Sequence, residues 1–463
     1  MSDSRQPVYP QSAFVAWGLL LCWAPLPMAS NRPWSQALLI FLVALVALYV
    51  TLLALWNNKP LFSKLIAFKW PLGLLSLVPL WATLQCMPLS LESLALFSPN
   101  AAEIYRNAGL EQGYITLDIG RTQVQAAWSW ALLLFFAMAL LLLDTRKRVR
   151  DAAQLAVYVG VFQALYGSFM TLSGLEYSFF QEKTAYRGVA TGTFINRNSF
   201  AAFLTMSLSI GIGLLVGNLN RHSSRNWREG MRRLLDTILG SKMRLRVFLA
   251  FMVIALVLTH SRMGNTAFFG SLFLCGAILM LMQRSLHKGA IILFVSLLLV
   301  DFIIVGQWFG FEELAARLDS TSVESETRDE VVRDTLVMLQ DYPLTGTGLG
   351  SFAVSYPQYQ QADVRGFYDH THNDYLEFSS ELGLIGMVPL ASFVLLSLGR
   401  ALLTMQRRRD QLAKGIAFAG TMGITALLIH SFVDFNLQMP ANALLFMLVL
   451  AFAWKAGTMP RPS

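Results

Sequence analysis

The chain has 463 residues, 55% of them hydrophobic and only 14% charged, with a mean hydropathy of +0.51. Soluble domains carry about 25% charged residues, so composition excludes an ordinary soluble domain. The formal net charge is +8. Its basic excess sits in short segments between apolar runs, without aromatic interleaving, and nucleic acid is not an expected partner.

In chain order, apolar runs predict transmembrane helices over 13–29, 35–56, 68–87, 124–143, 152–173, 196–217, 246–260, 265–282, 289–307, 384–404, 414–433 and 441–456. Each is long enough, or nearly so, to cross about 30 Å of hydrocarbon. The expected fold class is therefore all-α and polytopic, with about 12 transmembrane helices. Residues 1–463 read as one transmembrane domain, with loop 308–383 inserted between the ninth and tenth helices. The first run follows one positive charge, Arg5, and lacks a convincing small-residue cleavage site, so it reads as a retained helix. Pro25, Pro27, Pro71, Pro79 and Pro389 fall inside spans, where neighbouring helices can tolerate them. Cys22, Cys86 and Cys275 lie in or beside spans without metal-type spacing and read as small apolar filler.

Lysine and arginine set the orientation. With the N-terminus in the cytoplasm, 25 of the 36 basic residues fall inside and 22 of the 28 acidic residues outside. Both termini are then cytoplasmic. Basic segment 218–246 reads as an inner loop that touches anionic lipid.

Four outer segments stand out: 88–122, 174–195, the tight return 259–265, and 308–383. The last is too long for a plain connection and carries order signals. Thr327-Arg328-Asp329-Glu330 has capping-box spacing, followed by Val331, Val332, Thr335, Leu336 and Leu339 at helical spacing. Pro343 ends that helix, and Gly346-Thr347-Gly348-Leu349-Gly350 predicts a turn. His372 to Leu382 predicts a second helix, stopped by Gly383.

The densest polar patch is Asp369-His370-Thr371-His372-Asn373-Asp374-Tyr375-Leu376-Glu377. Histidine titrates near neutral pH and is the default proton-transfer group. Arg187 lies just before one membrane entry, Arg262 at a tight return, and His372 just before another entry. Arginine at membrane depth is costly and marks cavities, and its planar fork suits phosphate oxygens. Two arginines and a histidine at one face predict a phosphate-bearing lipid substrate and a proton acceptor. His370, Asn373 and Asp374 are secondary candidates. A metal held by Asp369, His370, His372 and Asp374 is the rival chemistry. No Asp-X-Asp pair elsewhere supports it, and no cofactor or metal is expected.

These motifs resemble the O-antigen ligase and polymerase superfamily of bacterial inner-membrane glycosyltransferases. The carriers are Gly192-Thr193-Phe194-Ile195-Asn196-Arg197-Asn198, Ser261-Arg262, Pro343 to Phe352, His372-Asn373-Asp374-Tyr375-Leu376 with Gly383-Leu384-Ile385-Gly386, and His430 to Leu437. The resemblance spans about residues 150–450. The superfamily often has proline where this chain has Arg197, and His370 is an additional histidine beside the matching one.

The resemblance implies transfer of a glycan from a polyprenyl (undecaprenyl) diphosphate carrier to an acceptor hydroxyl on the periplasmic side, metal-independent and inverting. Arg187 and Arg262 would hold the diphosphate and His372 would be the base. Arg328 and Arg365 are further candidates for sugar or phosphate. The acceptor would be lipid A core for a ligase, or a carrier-linked glycan for a polymerase of O-antigen, capsule or exopolysaccharide. An O-linked protein oligosaccharyltransferase and a lipid-linked glycan flippase are the alternatives.

Overall fold

The computed structural model describes residues 7–218, 241–282, 328–364 and 366–460. The expected span 289–307, Thr327, Arg365 and most of the basic segment 218–246 lie outside the described residues.

The membrane-scale helices are α1 (Gln11–Trp23), α2 (Pro33–Trp56), α3 (Lys69–Gln85), α4 (Ile119–Leu142), α5 (Arg146–Leu172), α6 (Arg197–Gly217), α7 (Ser241–Leu258), α8 (Arg262–Met282), α9 (Asp374–Arg407), α10 (Gln411–His430) and α11 (Pro440–Thr458). Among the described residues, eight are long and apolar enough to cross a membrane: α2, α4, α5, α6, α8, α9, α10 and α11. The shorter α1 and α3 and the charge-headed α7 occupy the remaining expected spans other than 289–307. The expected span 13–29 is shortened. Its helix ends at Trp23, and Pro25 and Pro27 begin a turn in which Met28, Ala29 and Ser30 all take positive φ.

At the centre stands α6, whose residues from Ser199 to Val216 are all buried. Its neighbours approach through small residues, as in membrane interiors where packing replaces the hydrophobic drive. A Cβ on Gly213 would lie 2.5 Å from the Gly415 carbonyl of α10, and one on Gly160 of α5 would lie 2.6 Å from the Ser207 Cβ.

Hydrogen bonds define the two ends of the bundle. At the basic end, Arg148 Nη2 donates to the carbonyls of Tyr9 and Pro10 at 2.6 and 3.1 Å. Arg146 forks onto Asp410, with Nη2 donating at 2.9 Å, and reaches the Pro460 carbonyl. Both described termini are thus tied to one end. At the other, the histidine end, Ala190 N donates to Leu258 O at 2.8 Å and Asn442 Nδ2 to Ser199 O at 3.0 Å.

The inserted segment packs on the histidine end. Helix Arg328–Asp341 forms as its spacing predicts and stops before Pro343. Two short helices, Leu91–Phe97 and Pro99–Asn107, pack with it through Leu94, Ala101, Val331 and Met338. The expected stop at Gly383 is a kink instead. Gly383 has φ 61° and ψ −174°, and α9 continues to Arg407. The turn after Pro343 makes this affordable. Thr347 N and Gly348 N donate to the carbonyls of Ser380 and Glu381, while Leu384 N and Ile385 N donate to those of Pro343 and Leu344. Four backbone groups at the break thereby find partners. A Cβ on Gly346 or Gly383 would sit 2.2 Å from a facing carbonyl oxygen, so both positions require glycine.

Candidate active site

Helix α9 begins two residues later than the sequence suggests. His372 is not its first residue; Asn373 is its N-cap, with Oδ1 accepting from Tyr375 N and Leu376 N at 3.0 and 3.2 Å. Asn373 Nδ2 also donates to Phe432 O, which ties the cap to the turn after α10. Thr371 Oγ1 donates to Asn373 O and accepts from Asn373 N, bracketing His372. His372 is thereby held at φ 56°, the left-handed region, where strain marks functional positions.

The His372 ring sits edge-on to Phe435, with centroids 4.8 Å apart, and its Nδ1 lies 3.9 Å from Asp434 Oδ1. That distance is too long for a hydrogen bond. The side chain is 19% exposed, so a substrate hydroxyl can reach it. Asp434 is buried, and its Oδ2 lies 3.8 Å from Nε2 of the equally buried His430. Burial would push the Asp434 carboxyl up, but the imidazoles of His372 and His430 outweigh that and hold it below the ordinary carboxylate value.

His370 plays a different part. Its Nδ1 is 2.6 Å from Glu377 Oε1, and its ring stacks on the same Phe435 at 4.3 Å. Burial alone would lower its pKa; the Glu377 charge and hydrogen bond more than reverse this and raise it to about 9. His370 is therefore a cation at neutral pH and cannot accept a proton there. Glu377 Oε2 also accepts from Thr371 N at 2.9 Å, so the pair underpins the loop that presents His372. Asp374 faces elsewhere: Ser431 Oγ donates to it at 2.6 Å and Leu437 N at 3.3 Å. Three of the four residues of the rival metal cluster, His370, His372 and Asp374, thus turn to separate partners.

Arg187 lies in a loop built over a buried ion pair. Lys183 Nζ is 2.7 Å from Glu176 Oε2 and donates to Val189 O, while Gly188 N donates to Glu176 Oε1. Above them, the exposed Arg187 guanidinium meets Glu182 at 2.5 Å, and its Nε donates to Lys183 O. The Ala190–Leu258 hydrogen bond joins this loop to the turn Thr259–Ser261, after which Arg262 opens α8, exposed. The first turn of α6 links these arginines to the histidine side: Ser199 O receives Asn442, which lies just past the turn that carries Asp434. Arg328 opens its helix, with its side chain outside what is described, as is all of Arg365.

Sequence reasoning gave no role to Asp434 or Phe435. The signal was present as His430-X-X-X-Asp434, an i, i+4 pair at a helix end. Only the fold shows that it meets a residue some sixty positions upstream.

No curated protein matches the chain significantly. The sequence profile of the family described as O-antigen ligase matches residues 247–391, which include Arg262, His370, His372, Asn373 and Asp374 but neither Arg187 nor Asp434. Residues 247–391 are thus similar to the O-antigen ligase family, and among the described residues eight helices are long and apolar enough to cross a membrane.

Proposed function

We propose that the protein transfers a glycan from a polyprenyl diphosphate carrier to an acceptor hydroxyl, at the histidine end of the bundle facing the periplasm. The observation that carries this reading is His372: accessible, strained, and set against a buried carboxylate. With Nδ1 turned to Asp434, Nε2 is left for the acceptor. The acceptor oxygen attacks the anomeric carbon as its proton passes to Nε2, and the glycosidic C–O bond breaks with its electron pair going to the diphosphate. Asp434 then stabilises the imidazolium. A positioned base contributes typically 10²–10⁴-fold. Arg187 and Arg262 hold the phosphates, since preorganised cations stabilise charge developing on a leaving group. One displacement inverts the anomeric centre and needs no metal.

A lipid-linked substrate also suits the surroundings. An apolar cavity of about 330 Å³, lined by Leu75, Val78, Phe378, Leu390 and Phe446, reaches Asp374, two residues from His372. The basic end, with Arg146, Arg148, Arg408 and Lys455, is the cytoplasmic side by the positive-inside rule. The acceptor is lipid A core or a carrier-linked glycan.

Reconstitution tests this reading. Purified protein in liposomes, given carrier-linked glycan and either acceptor, is expected to form a glycosidic product without nucleotide or ion gradient. Glycan crossing the bilayer with no new bond would assign a transporter instead.

A further inference from the structure

Arg197 is the first residue of α6, as Arg262 is the first of α8. The two helices pack side by side one turn further in, where a Cβ on Gly264 would stand 2.5 Å from the Ala201 Cβ. Their opening residues therefore share one corner. The Arg197 guanidinium lies over the ring of Tyr186, the residue before Arg187, with Cζ 5.6 Å from its centroid. Its Nε is buried without a hydrogen-bond partner, and among the described residues no carboxylate pairs with it. A cation on the first turn of a helix opposes the helix dipole. Nearby basic groups handle their charge differently: Lys183 has Glu176, and Arg187 has Glu182. An uncompensated guanidinium beside Arg187 and Arg262 calls for an anion supplied from outside the chain.

We propose that Arg197 is a third phosphate-contacting guanidinium, matched to the charge that appears as the carrier diphosphate leaves. This rests on the transfer reading above. In the donor each phosphate is esterified and carries one negative charge, and Arg187 and Arg262 contact this pair. When the glycosidic bond breaks, its electron pair stays on the terminal phosphate oxygen and adds a third charge. A third cation fixed in place before the reaction strengthens its contact as that charge develops, and so acts on turnover more than on donor binding.

The test compares Arg197→Gln, Arg197→Lys and Arg262→Ala in the full-length protein in detergent. Binding is measured calorimetrically for farnesyl diphosphate, whose terminal phosphate carries the extra charge, and for a diphosphate diester, which lacks it. Arg197→Gln is expected to weaken farnesyl diphosphate at least tenfold and the diester less than threefold. It should lower kcat about 10²-fold with donor KM nearly unchanged, and Arg197→Lys should restore part of both. Its melting temperature should stay or rise, because an opposed charge has been removed. A fall in melting temperature with farnesyl diphosphate binding and kcat intact would reduce Arg197 to a partner of the Tyr186 ring and overturn the proposal. If the wild type binds neither probe, the transfer reading itself fails. If Arg262→Ala loses binding and Arg197→Gln does not, only the role of Arg197 falls.

Discussion

The two ends of the bundle treat buried polar groups in opposite ways. At the basic end they are closed off: Arg146 forks onto Asp410, Arg148 caps Tyr9 and Pro10, and Lys455 Nζ donates to Leu140 O. Among the described residues, the unpartnered buried atoms at this end are the Tyr9 hydroxyl, Arg400 Nε, and the Nε atoms of Arg148 and Arg408, whose terminal nitrogens are bonded. At the histidine end more atoms lack partners: both nitrogens of His430 and both ends of the Asn436 amide, and the single atoms His372 Nδ1, Asp434 Oδ2 and Asn442 Oδ1. Unmet buried groups cost about 1–3 kcal/mol each. A buried polar group without a protein partner is one that water or a bound ligand can satisfy. On the proposed reading the first end is a latch and the second is the working site.

The sharpest break of this contrast is His372→Ala. It should lower turnover by about 10²–10⁴-fold with little change in protein level or melting temperature, followed as carrier-linked glycan consumed by purified protein. Next, Arg262→Ala should cost about 10²–10³-fold in turnover, with Arg262→Lys recovering only part, because a point charge cannot replace a planar fork. Kinetics with purified donor would show it.

Asp434→Asn sharpens the account of the base. Turnover should fall about 10²-fold. The loss should fall on kcat and not on donor KM, because the carboxylate steadies the imidazolium only as it forms. Unchanged turnover would show that Asp434 does not act through His372.

Smaller effects separate support from chemistry. The His370 pKa of about 9 lies above the ordinary histidine value of 6.5. The His370–Glu377 pair therefore stabilises the fold fully below about pH 6.5, and that contribution disappears as pH rises through about 9. Wild-type melting temperature should fall over this window more than that of His370→Gln. Glu377→Ala should cost about 3 kcal/mol by stranding the cation. At the latch, Asp410→Asn should lower the melting temperature and leave kcat unchanged.

Much of the bundle was legible from apolar run length, because hydrocarbon thickness dictates helix length. Helix Arg328–Asp341 was legible from spacing and Pro343. The kink at Gly383 was not, because glycine reads as a helix stop unless another segment supplies the missing hydrogen bonds. Here the turn 343–348 does so from some forty residues upstream. His372, Arg187 and Arg262 stood out because polar groups are rare in an apolar chain. The orienting Asp434 and the shared ring of Phe435 did not, since their role depends on a contact between distant turns. The separate duties of the two histidines were equally hidden, because only the fold shows that one faces Glu377 and the other Asp434.

The most direct test is a cryo-electron microscopy structure of the protein with a non-transferable carrier diphosphate glycan. The account predicts both phosphates against Arg187 and Arg262, with the anomeric carbon within reach of an acceptor oxygen held by His372 Nε2. Phosphates bound instead at the Arg146 and Arg148 end, or an anomeric carbon remote from His372, would contradict it.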